Sequence, residues 1–306
     1  MIYVDDLTKV FGSVTAVDGL TFQVKDGEIF GLLGPNGAGK TSTLRMLTCL
    51  ISKTRGDARI DDLSISNKED SIRIRRIIGL VAENVGLYEE LSAYKNLDFY
   101  GKLYGVPENK RNENIKNLLE EFDLWNVRDR PVGTFSKGMK QKVAIARALS
   151  HDPEVLFLDE PTANLDPEAA KVVRDVILNL KKKGRTIFLN THNLDEAQRI
   201  CDRIGILKTK LIALGSPDQL KESLRVDKTV IELEVVNDEI LRAIKAVTAS
   251  EVEVEGRKLI IEVKNPQAEN PILIKAITLV GGNIVAVSQL SPTMEEVYIK
   301  AVREIK

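Results

Sequence analysis

The chain has 306 residues, of which 44 are basic and 45 acidic, so its formal net charge is −1. This balance argues against a dedicated nucleic-acid-binding protein, which carries a basic excess. The length allows one large core and a smaller second domain. The two cysteines match no metal-binding spacing and favour a reducing compartment. We expect no signal peptide, and no apolar run approaches the ~18 residues of a membrane-spanning helix.

The first elements are predicted from the spacing of apolar residues. Residues 2–25 alternate between apolar and polar side chains, which predicts antiparallel strands. Residues 29–33 are apolar on both faces and predict a buried strand of a parallel sheet. Leucines recur with helical spacing in the stretch from Thr41 to Leu50, which predicts a helix. A glycine-rich loop therefore connects a buried strand to a helix.

That loop, "GPNGAGKTS", has the spacing of a phosphate-binding P-loop. Its glycines let backbone N–H groups approach phosphate oxygens, and the helix N-terminus adds favourable partial positive charge. Lys40 can reach the outer phosphates, and Thr41 offers a hydroxyl to Mg²⁺. The candidate nucleotide-binding residues of this loop are Gly34, Pro35, Asn36, Gly37, Ala38, Gly39, Lys40, Thr41 and Ser42. A chance match of so short a pattern is the alternative, so a second site element is needed.

A helical block follows in the middle of the chain. Residues 92–123 contain two amphipathic helical patterns that are separated at 105–107 by a glycine and a proline. A third helix is predicted to begin at Ser136, with one apolar face. That face is formed by Met139, Val143, Ala146 and Leu149.

The α/β pattern then resumes. Residues 154–161 predict a short buried strand, and a helix over 167–183 follows, with Asp166 as its N-cap. The remaining elements of this part are predicted as a strand at 186–192, a helix at 194–203 and a strand at 204–208.

Three of these strands end in polar residues. One runs into the P-loop, one into Asp159 and Glu160, and one into His192. In open parallel sheets ligands bind beyond the carboxyl ends of the strands, so we expect all three groups to converge on one phosphate site. Asp159 is suited to hold Mg²⁺, most simply through a water. Glu160 is suited to act on the water that attacks the γ-phosphate, and His192 to contact that phosphate or fix Glu160.

Each of these polar residues has a less specific interpretation. An Asp-Glu pair is usually a solvated strand end, and a lone histidine is usually a surface or core residue. The placement of Glu160 and His192 after buried strands downstream of a P-loop favours function. His151 has no such support, and we expect it to be structural.

Together these stretches resemble the ATP-binding-cassette (ABC) ATPases over residues 1 to about 220. "GPNGAGKT" resembles Walker A, "VLFLDE" Walker B, "FSKGMKQK" the signature motif, "ANLDP" the D-loop and "NTHNLDEA" the H-loop. The resemblance implies a P-loop α/β core with an antiparallel β-subdomain and a helical subdomain at about 87–150. It also implies an ATP-hydrolysing subunit of an ABC transporter, with Lys40, Glu160 and His192 as catalytic residues.

The resemblance further implies a head-to-tail homodimer that encloses two ATP molecules. Ser136 and Gly138 of the signature would then bind the γ-phosphate held by the other protomer, which agrees with the anion affinity of a serine-capped helix N-terminus. Phe11 stands where the family stacks an aromatic ring on adenine. Where the family usually has glutamine before the helical subdomain, this chain has Glu83. A carboxylate is a good Mg²⁺ ligand, so Glu83 joins Thr41 and Asp159 as a metal candidate.

Two other motifs depart from the commonest family pattern. The signature has Lys137 and Met139-Lys140, and the D-loop has Ala163-Asn164. Both resemble variants found in cassettes of the drug-resistance type and related exporters. Residues 221–306 change pattern and predict the order β-α-β-β-α-β with a final helix, a ferredoxin-like domain. Its helices are predicted at 238–247, 271–280 and 293–305. The closing "SPTMEEVYIKA" resembles the C-terminal extension of the same exporters, which implies dimerisation or regulation; a purely stabilising domain is the alternative.

The resemblance implies a subunit that drives a separate membrane permease of an exporter from the cytoplasmic face of the cell membrane. A soluble ABC ATPase that acts on ribosomes or DNA is a second hypothesis. Such proteins carry two cassettes, a long coiled coil or a cysteine cluster, whereas this chain has one P-loop and two cysteines. A third hypothesis is a regulatory nucleotide-binding module that does not hydrolyse ATP. The presence of Glu160 and His192 argues against it. The expected ligands are ATP and Mg²⁺, and we expect no nucleic acid.

Overall fold

The computed structural model of the protein describes residues 1–223, 227–290 and 293–303. The chain divides into two compact units. The first comprises Met1–Pro217 with the described residues after Lys300, and the second comprises Asp218–Lys300.

The secondary structure of the described residues alternates strands and helices along most of the chain. The strands are β1 (Ile2–Phe11), β2 (Val14–Val24), β3 (Ile29–Leu33), β4 (Arg55–Ile60), β5 (Leu63–Ser64), β6 (Ile78–Val81), β7 (Val155–Asp159), β8 (Thr186–Thr191), β9 (Arg203–Lys208), β10 (Lys210–Gly215), β11 (Asp227–Leu233), β12 (Val252–Glu255), β13 (Lys258–Val263) and β14 (Ile284–Leu290). The helices are α1 (Lys40–Leu47), α2 (Lys68–Ile77), α3 (Ala93–Leu103), α4 (Glu108–Glu121), α5 (Lys137–Leu149), α6 (Pro167–Lys182), α7 (Leu194–Ile200), α8 (Pro217–Ser223), α9 (Asp238–Val247), α10 (Pro266–Leu279) and α11 (Met294–Arg303).

A six-stranded sheet forms the centre of the first unit, in the order β10-β9-β3-β8-β7-β6. Its five strands from β9 to β6 are parallel, and β10 pairs antiparallel with β9. Every residue of β3, β7 and β8 is buried. This explains their continuous apolar sequences, because strands inside a parallel sheet are covered on both faces.

A four-stranded antiparallel sheet, in the order β2-β1-β4-β5, packs against the central sheet. The predicted antiparallel strands at 2–25 are confirmed as β1 and β2, while β4 joins them from a later part of the chain. Phe22 of this sheet stacks on Phe30 of β3 with ring centroids 5.0 Å apart. The two sheets therefore share one apolar core.

The predicted helical block is confirmed as α3, α4 and α5. The break between α3 and α4 falls at the predicted glycine and proline. Ser136 caps α5 by accepting a hydrogen bond from the backbone N–H of Met139 (3.2 Å), and Asp166 caps α6 in the same way. Helices α2 and α8 and strands β4, β5, β6 and β10 were not predicted, and the short strands contain too few residues for a clear periodic pattern.

Three predicted helix boundaries are wrong. The helix after the P-loop ends at Leu47 and not at Leu50, because Cys49 has a φ of 56°, outside the helical region. Helix α7 ends at Ile200, and the Asp202 carboxylate instead accepts a hydrogen bond from the Ile29 N–H at 2.9 Å. A helix predicted at 271–280 begins earlier, at Pro266, with Asn265 as its cap.

The second unit contains the predicted order β-α-β-β-α-β, formed by β11, α9, β12, β13, α10 and β14. Its sheet has the order β12-β13-β11-β14, with all neighbours antiparallel. Apolar residues of β11 and β13 pack with α9 and α10 in a separate core. The final predicted helix is α11. Residues 304 and 305 of that predicted helix lie outside the described residues, and so do residues 291 and 292 of the closing motif. Among the residues described, none of the helices has the length and apolarity that crossing a membrane requires.

Candidate functional site

The P-loop follows β3 directly and has little room for side chains. Gly39 has a φ of 102°, and a Cβ there would lie 2.3 Å from the carbonyl oxygen of Ala16. A Cβ at Gly34 would lie 2.4 Å from the carbonyl oxygen of Leu207. Both positions therefore require glycine, and the loop leads straight into the N-terminus of α1, where free N–H groups favour an anion.

Lys40 is buried in this loop. Its Nζ donates to the carbonyl oxygens of Gly34 (2.7 Å) and Pro35 (3.3 Å), and it lies 3.6 Å from Glu160 Oε1. The ammonium group is thus fixed among backbone oxygens and one carboxylate. A phosphate in the loop would offer it a second anionic partner.

Asp159 is the last residue of β7 and is 3% exposed. Thr41 Oγ1 lies 3.4 Å from Asp159 Oδ1, and the Asn190 side-chain amide donates to the same oxygen at 3.0 Å. Sequence reasoning did not single out Asn190. The available signal was an amide near the end of the buried strand β8, which pairs with the strand that carries Asp159.

Glu160 and His192 form a direct pair across the ends of β7 and β8. Glu160 Oε2 lies 2.8 Å from His192 Nδ1 and also accepts the His192 backbone N–H at 3.3 Å. Glu160 has a φ of 52°, and its N–H donates to the Asn190 carbonyl at 2.9 Å. The histidine side chain is 57% exposed whereas the glutamate is nearly buried, so the ring faces the solvent side of the pair.

A second carboxylate, Glu196 of α7, lies behind this pair and is 1% exposed. Its two oxygens accept hydrogen bonds from Thr162 Oγ1 and Thr191 Oγ1, each at 2.7 Å. Burial raises the pKa of the Glu196 carboxyl above its usual value, and the two hydroxyl groups partly oppose this. Sequence reasoning did not select this residue.

The P-loop, Glu160 and His192 line a cavity of about 730 Å³, whereas Asp159 and Glu196 lie outside its lining. Its lining includes the predicted Phe11 and Glu83 in addition to the P-loop, Glu160 and His192. Phe11 is 48% exposed, with Lys9 Nζ 4.8 Å from its ring centroid. The lining residues are Phe11, Ala16, Pro35, Asn36, Gly37, Ala38, Gly39, Lys40, Thr41, Ser42, Glu83, Glu160, Thr162, Ala163, Asn164, Leu165, His192 and Asn193.

Ser136 and Gly138 do not line this cavity. Ser136 is exposed at the start of α5. A Cβ at Gly138 would lie 2.8 Å from the Cβ of Ala169, so this glycine lets α5 approach the start of α6. The structure of one chain therefore leaves the predicted signature residues apart from the P-loop.

The oxygen donors near the P-loop suit Mg²⁺. The Thr41 hydroxyl and the Asp159 carboxylate are adjacent, and Glu83 lies on the same cavity. In the described residues, no group of three or more His, Cys, Asp or Glu side chains is arranged for a metal. The Thr41 hydroxyl and the Asp159 carboxylate fit Mg²⁺, which keeps several waters and takes one or two carboxylates together with substrate phosphates.

Comparison with known proteins agrees with this geometry. Residues 17–163 match the model of the ABC transporter family. Residues 215–302 match the family described as "ATP-binding protein DrrA1-3-like, C-terminal domain".

Individual proteins are also similar to this chain over most of its length. The linearmycin resistance ATP-binding protein LnrL of Bacillus subtilis is 32% identical over 98% of this chain and 97% of its own length. The Nod factor export ATP-binding protein I of Ralstonia nicotianae is 36% identical over 86% of this chain and 82% of its own.

Two solved structures are also similar. An ATP-binding subunit of an ABC transporter covers 73% of this chain and 93% of its own, with a TM-score of 0.66 and 32% identity. A dimeric ATP-binding cassette in a post-hydrolysis state, bound to ADP and Pi, covers 71% of this chain and 98% of its own, with a TM-score of 0.64 and 26% identity.

The central fold and its strand-end cavity define a P-loop nucleotide-binding protein. The chain belongs to the family of ABC transporter ATP-binding proteins. The predicted fold class is confirmed, as is the predicted function of an ATP-binding and ATP-hydrolysing subunit of an exporter-type ABC transporter. Solved dimeric cassettes and the names of the relatives also imply dimerisation and a membrane partner.

Proposed function

We propose that this chain is the ATPase motor of an exporter and that the strand-end cavity is its catalytic site. One observation carries this proposal: Lys40, Glu160 and His192, from three separate strand ends, line one cavity, and Asp159 lies beside the lining residue Thr41. This is the arrangement expected for a phosphoryl-transfer site, where catalysis is mainly positioning and electrostatic stabilisation.

ATP binding is assigned to the P-loop and the first strand hairpin. Backbone N–H groups of residues 34–42, apart from Pro35, which has none, would hold the phosphates, with Lys40 on the β- and γ-phosphates. Phe11, half-exposed at the end of β1 and on the cavity wall, would stack on the adenine ring.

Mg²⁺ is assigned to Thr41 and Asp159, with Glu83 as a further oxygen ligand. A bound Mg²⁺ would neutralise charge that develops on the phosphate oxygens during transfer. Asn190 donates to one Asp159 oxygen, which fixes the carboxylate and leaves its other oxygen for the metal or a metal-bound water.

In the hydrolysis step, Glu160 would orient a water for in-line attack on the γ-phosphorus and accept a proton from it. A bond forms between the water oxygen and phosphorus, and the bond from phosphorus to the ADP oxygen breaks, which releases ADP and phosphate. His192, 2.8 Å from Glu160, would hold that carboxylate in place and contact the γ-phosphate.

Closure of a head-to-tail homodimer would complete the site. Ser136 and Gly138 stand at the exposed N-terminus of α5, outside the cavity of their own chain. A two-fold pair would place them on the γ-phosphate held by the other protomer.

The permease contact is assigned to the region near residues 83–100. Tyr88 and Phe99 are exposed there, at 48% and 43%, with ring centroids 5.2 Å apart. Exposed aromatic pairs of this kind are typical of protein interfaces. Through such a permease the protein would sit on the cytoplasmic face of the membrane.

We further assign residues 1–220 to the ATP-binding domain, with a helical subdomain at about 87–150, and 221–306 to an accessory domain. The relatives act in linearmycin resistance and Nod factor export according to their names. An exported cargo recognised by the permease is therefore proposed for this chain as well, with the accessory domain supporting dimerisation or regulation.

The catalytic assignment is tested by Glu160→Gln. We expect ATP affinity to stay within about twofold and kcat to fall about 100-fold or more, since the amide cannot accept the proton. Binding is measured with a fluorescent ATP analogue and hydrolysis by phosphate release. Glu154→Gln is the matched control, because Glu154 is exposed at the opposite end of β7. A Glu160→Gln variant that hydrolyses ATP at the normal rate would falsify the assignment.

The same variant tests the dimer. With ATP bound and hydrolysis blocked, Glu160→Gln should sediment as a dimer, whereas the nucleotide-free protein stays monomeric. A second substitution, Ser136→Ala, should weaken that dimer because the capping hydroxyl and its phosphate contact are lost. Circular dichroism checks that α5 persists. Dimers of equal strength with and without Ser136 would contradict the head-to-tail arrangement.

A further inference from the structure

Glu196 is a buried carboxylate with a defined pair of partners and no place in the proposed chemistry. It is 1% exposed, and each of its oxygens accepts one threonine hydroxyl at 2.7 Å. Burying a carboxylate costs free energy unless its oxygens are satisfied, so such a group is retained only with good hydrogen-bond partners. The position of Glu196 in the fold shows which two segments its threonine partners connect.

The two threonines flank the Glu160–His192 pair along the chain. Thr191 immediately precedes His192 at the end of β8, and Thr162 follows Glu160 by two residues. Glu196 therefore connects the segment after β7 to the end of β8. The Thr162 hydroxyl and the Thr191 hydroxyl both donate to the Glu196 carboxylate.

Backbone contacts link this connection to the reacting groups. The Glu160 N–H donates to the Asn190 carbonyl, and the His192 N–H donates to the Glu160 carboxylate. Glu160 also adopts a left-handed backbone conformation, which costs free energy for a residue with a Cβ. Contacts made by the neighbouring residues must therefore hold the Glu160 backbone in that conformation.

We propose that Glu196 is a positioning residue for ATP hydrolysis, which fixes the segment after Glu160 against the end of β8 and so sets the Glu160–His192 geometry. The proposal rests on the proposed function of the cavity. A carboxylate suits this role because it has two acceptor oxygens and can satisfy two hydroxyl donors at once. Thr191 Oγ1 already accepts the Asn193 N–H at 3.0 Å, so its own proton is directed to Glu196.

The experiment removes the hydrogen bond between Thr162 and Glu196. Thr162→Val deletes the hydroxyl at nearly constant volume, and Thr162→Ser keeps it as the matched control. We expect Thr162→Val to lower kcat about tenfold while the KM for ATP stays within about twofold, because a misplaced base slows the chemical step without weakening binding. Thr162→Ser should remain within about twofold of the wild type in both constants.

Two further variants separate positioning from general stabilisation. Glu196→Gln should lower kcat several-fold, and the double variant Glu196→Gln/Thr162→Val should be no slower than the slower single variant, because both changes break one connection. In a Glu160→Gln background, Thr162→Val should leave the residual rate unchanged. Thermal unfolding of every variant identifies those that fail to fold.

The outcomes distinguish this inference from the proposed function. Normal hydrolysis by Glu160→Gln would overturn the proposed function itself. If Glu160 proves essential while folded Thr162→Val and Glu196→Gln variants keep wild-type kcat, the positioning role is wrong. A loss of kcat that persists undiminished in the Glu160→Gln background would also overturn it, since the effect would then not act through Glu160.

Discussion

His151 shows how the surroundings of one residue set its behaviour. Its ring stacks on Tyr104 with centroids 3.8 Å apart, and Nε2 lies 2.9 Å from the Ile78 carbonyl oxygen. Within the described part of the chain, its buried Nδ1 has no hydrogen-bond partner. Burial lowers the pKa of the imidazole, although the Ile78 carbonyl partly opposes this. The expectation that His151 is structural agrees with these contacts.

This lowered pKa makes the stability of the fold pH-dependent. The unfolded chain binds a proton on His151 at about pH 6.5, before the folded chain does. Stability from this residue is therefore present above about pH 6.5 and is lost as the pH falls toward the lower folded pKa. Wild-type protein should lose more free energy of unfolding between about pH 7.5 and 5.5 than His151→Gln does.

Urea unfolding at a series of pH values measures this difference. His192→Gln, which removes the other histidine of the chain, identifies any contribution from the catalytic cavity. Parallel pH curves for wild type and His151→Gln would contradict the prediction.

Among the elements, the loop between β6 and α3 depends on a contact from a different helix. Arg147 of α5 donates to the carbonyl oxygens of Val85 (2.6 Å) and Gly86 (2.9 Å), and its guanidinium lies 4.8 Å from the centroid of the Tyr100 ring. This fixes the segment just after Glu83, which lines the cavity. Helix α5, which also carries the signature residues, therefore contacts the loop that directly follows Glu83.

Replacing Glu83 by the family's usual glutamine tests its role on this loop. An amide oxygen carries no negative charge, so Glu83→Gln should raise the Mg²⁺ concentration for half-maximal ATPase activity about threefold or more. Its rate at saturating Mg²⁺ should also differ from that of the wild type. Steady-state ATPase assays over a Mg²⁺ titration measure both. Glu90→Gln, exposed and outside the cavity, is the control, and identical titrations for all three proteins would remove the hypothesis.

At the scale of the whole molecule, the main prediction is that the protein binds a separate membrane permease. Tagged protein purified from detergent-solubilised membranes of its host should carry along a stoichiometric membrane protein with about six apolar spans of ~20 residues. Mass spectrometry identifies that partner. Recovery with ribosomes or a soluble complex, and no membrane protein, would instead favour the alternative of a soluble ABC ATPase.

The extent of successful prediction differs between parts of the chain for physical reasons. Strands β3, β7 and β8 were predictable because a buried parallel strand must be apolar on both faces. Helix α1 was predicted three residues too long, since leucine spacing continues past Leu47 while the backbone turns left-handed at Cys49. Helix α10 was predicted to start at Pro271, yet it begins at Pro266, where the missing N–H of proline costs no helical hydrogen bond, and Pro271 lies inside it.

The sequence by itself determined the P-loop, the strand-end carboxylates, the order of strands and helices in the second unit and most of that order in the first. Residue type and spacing carry that information, because glycine loops, apolar strands and helix caps depend on contacts close in the chain. The sequence predicted that three strand ends converge, but only the tertiary structure decided which further polar groups contact them. Asn190 contacts Asp159, and Glu196 joins Thr162 to Thr191, across separate elements. Such pairs leave no periodic signal, since they arise from the register of neighbouring strands and the packing of α7 behind them.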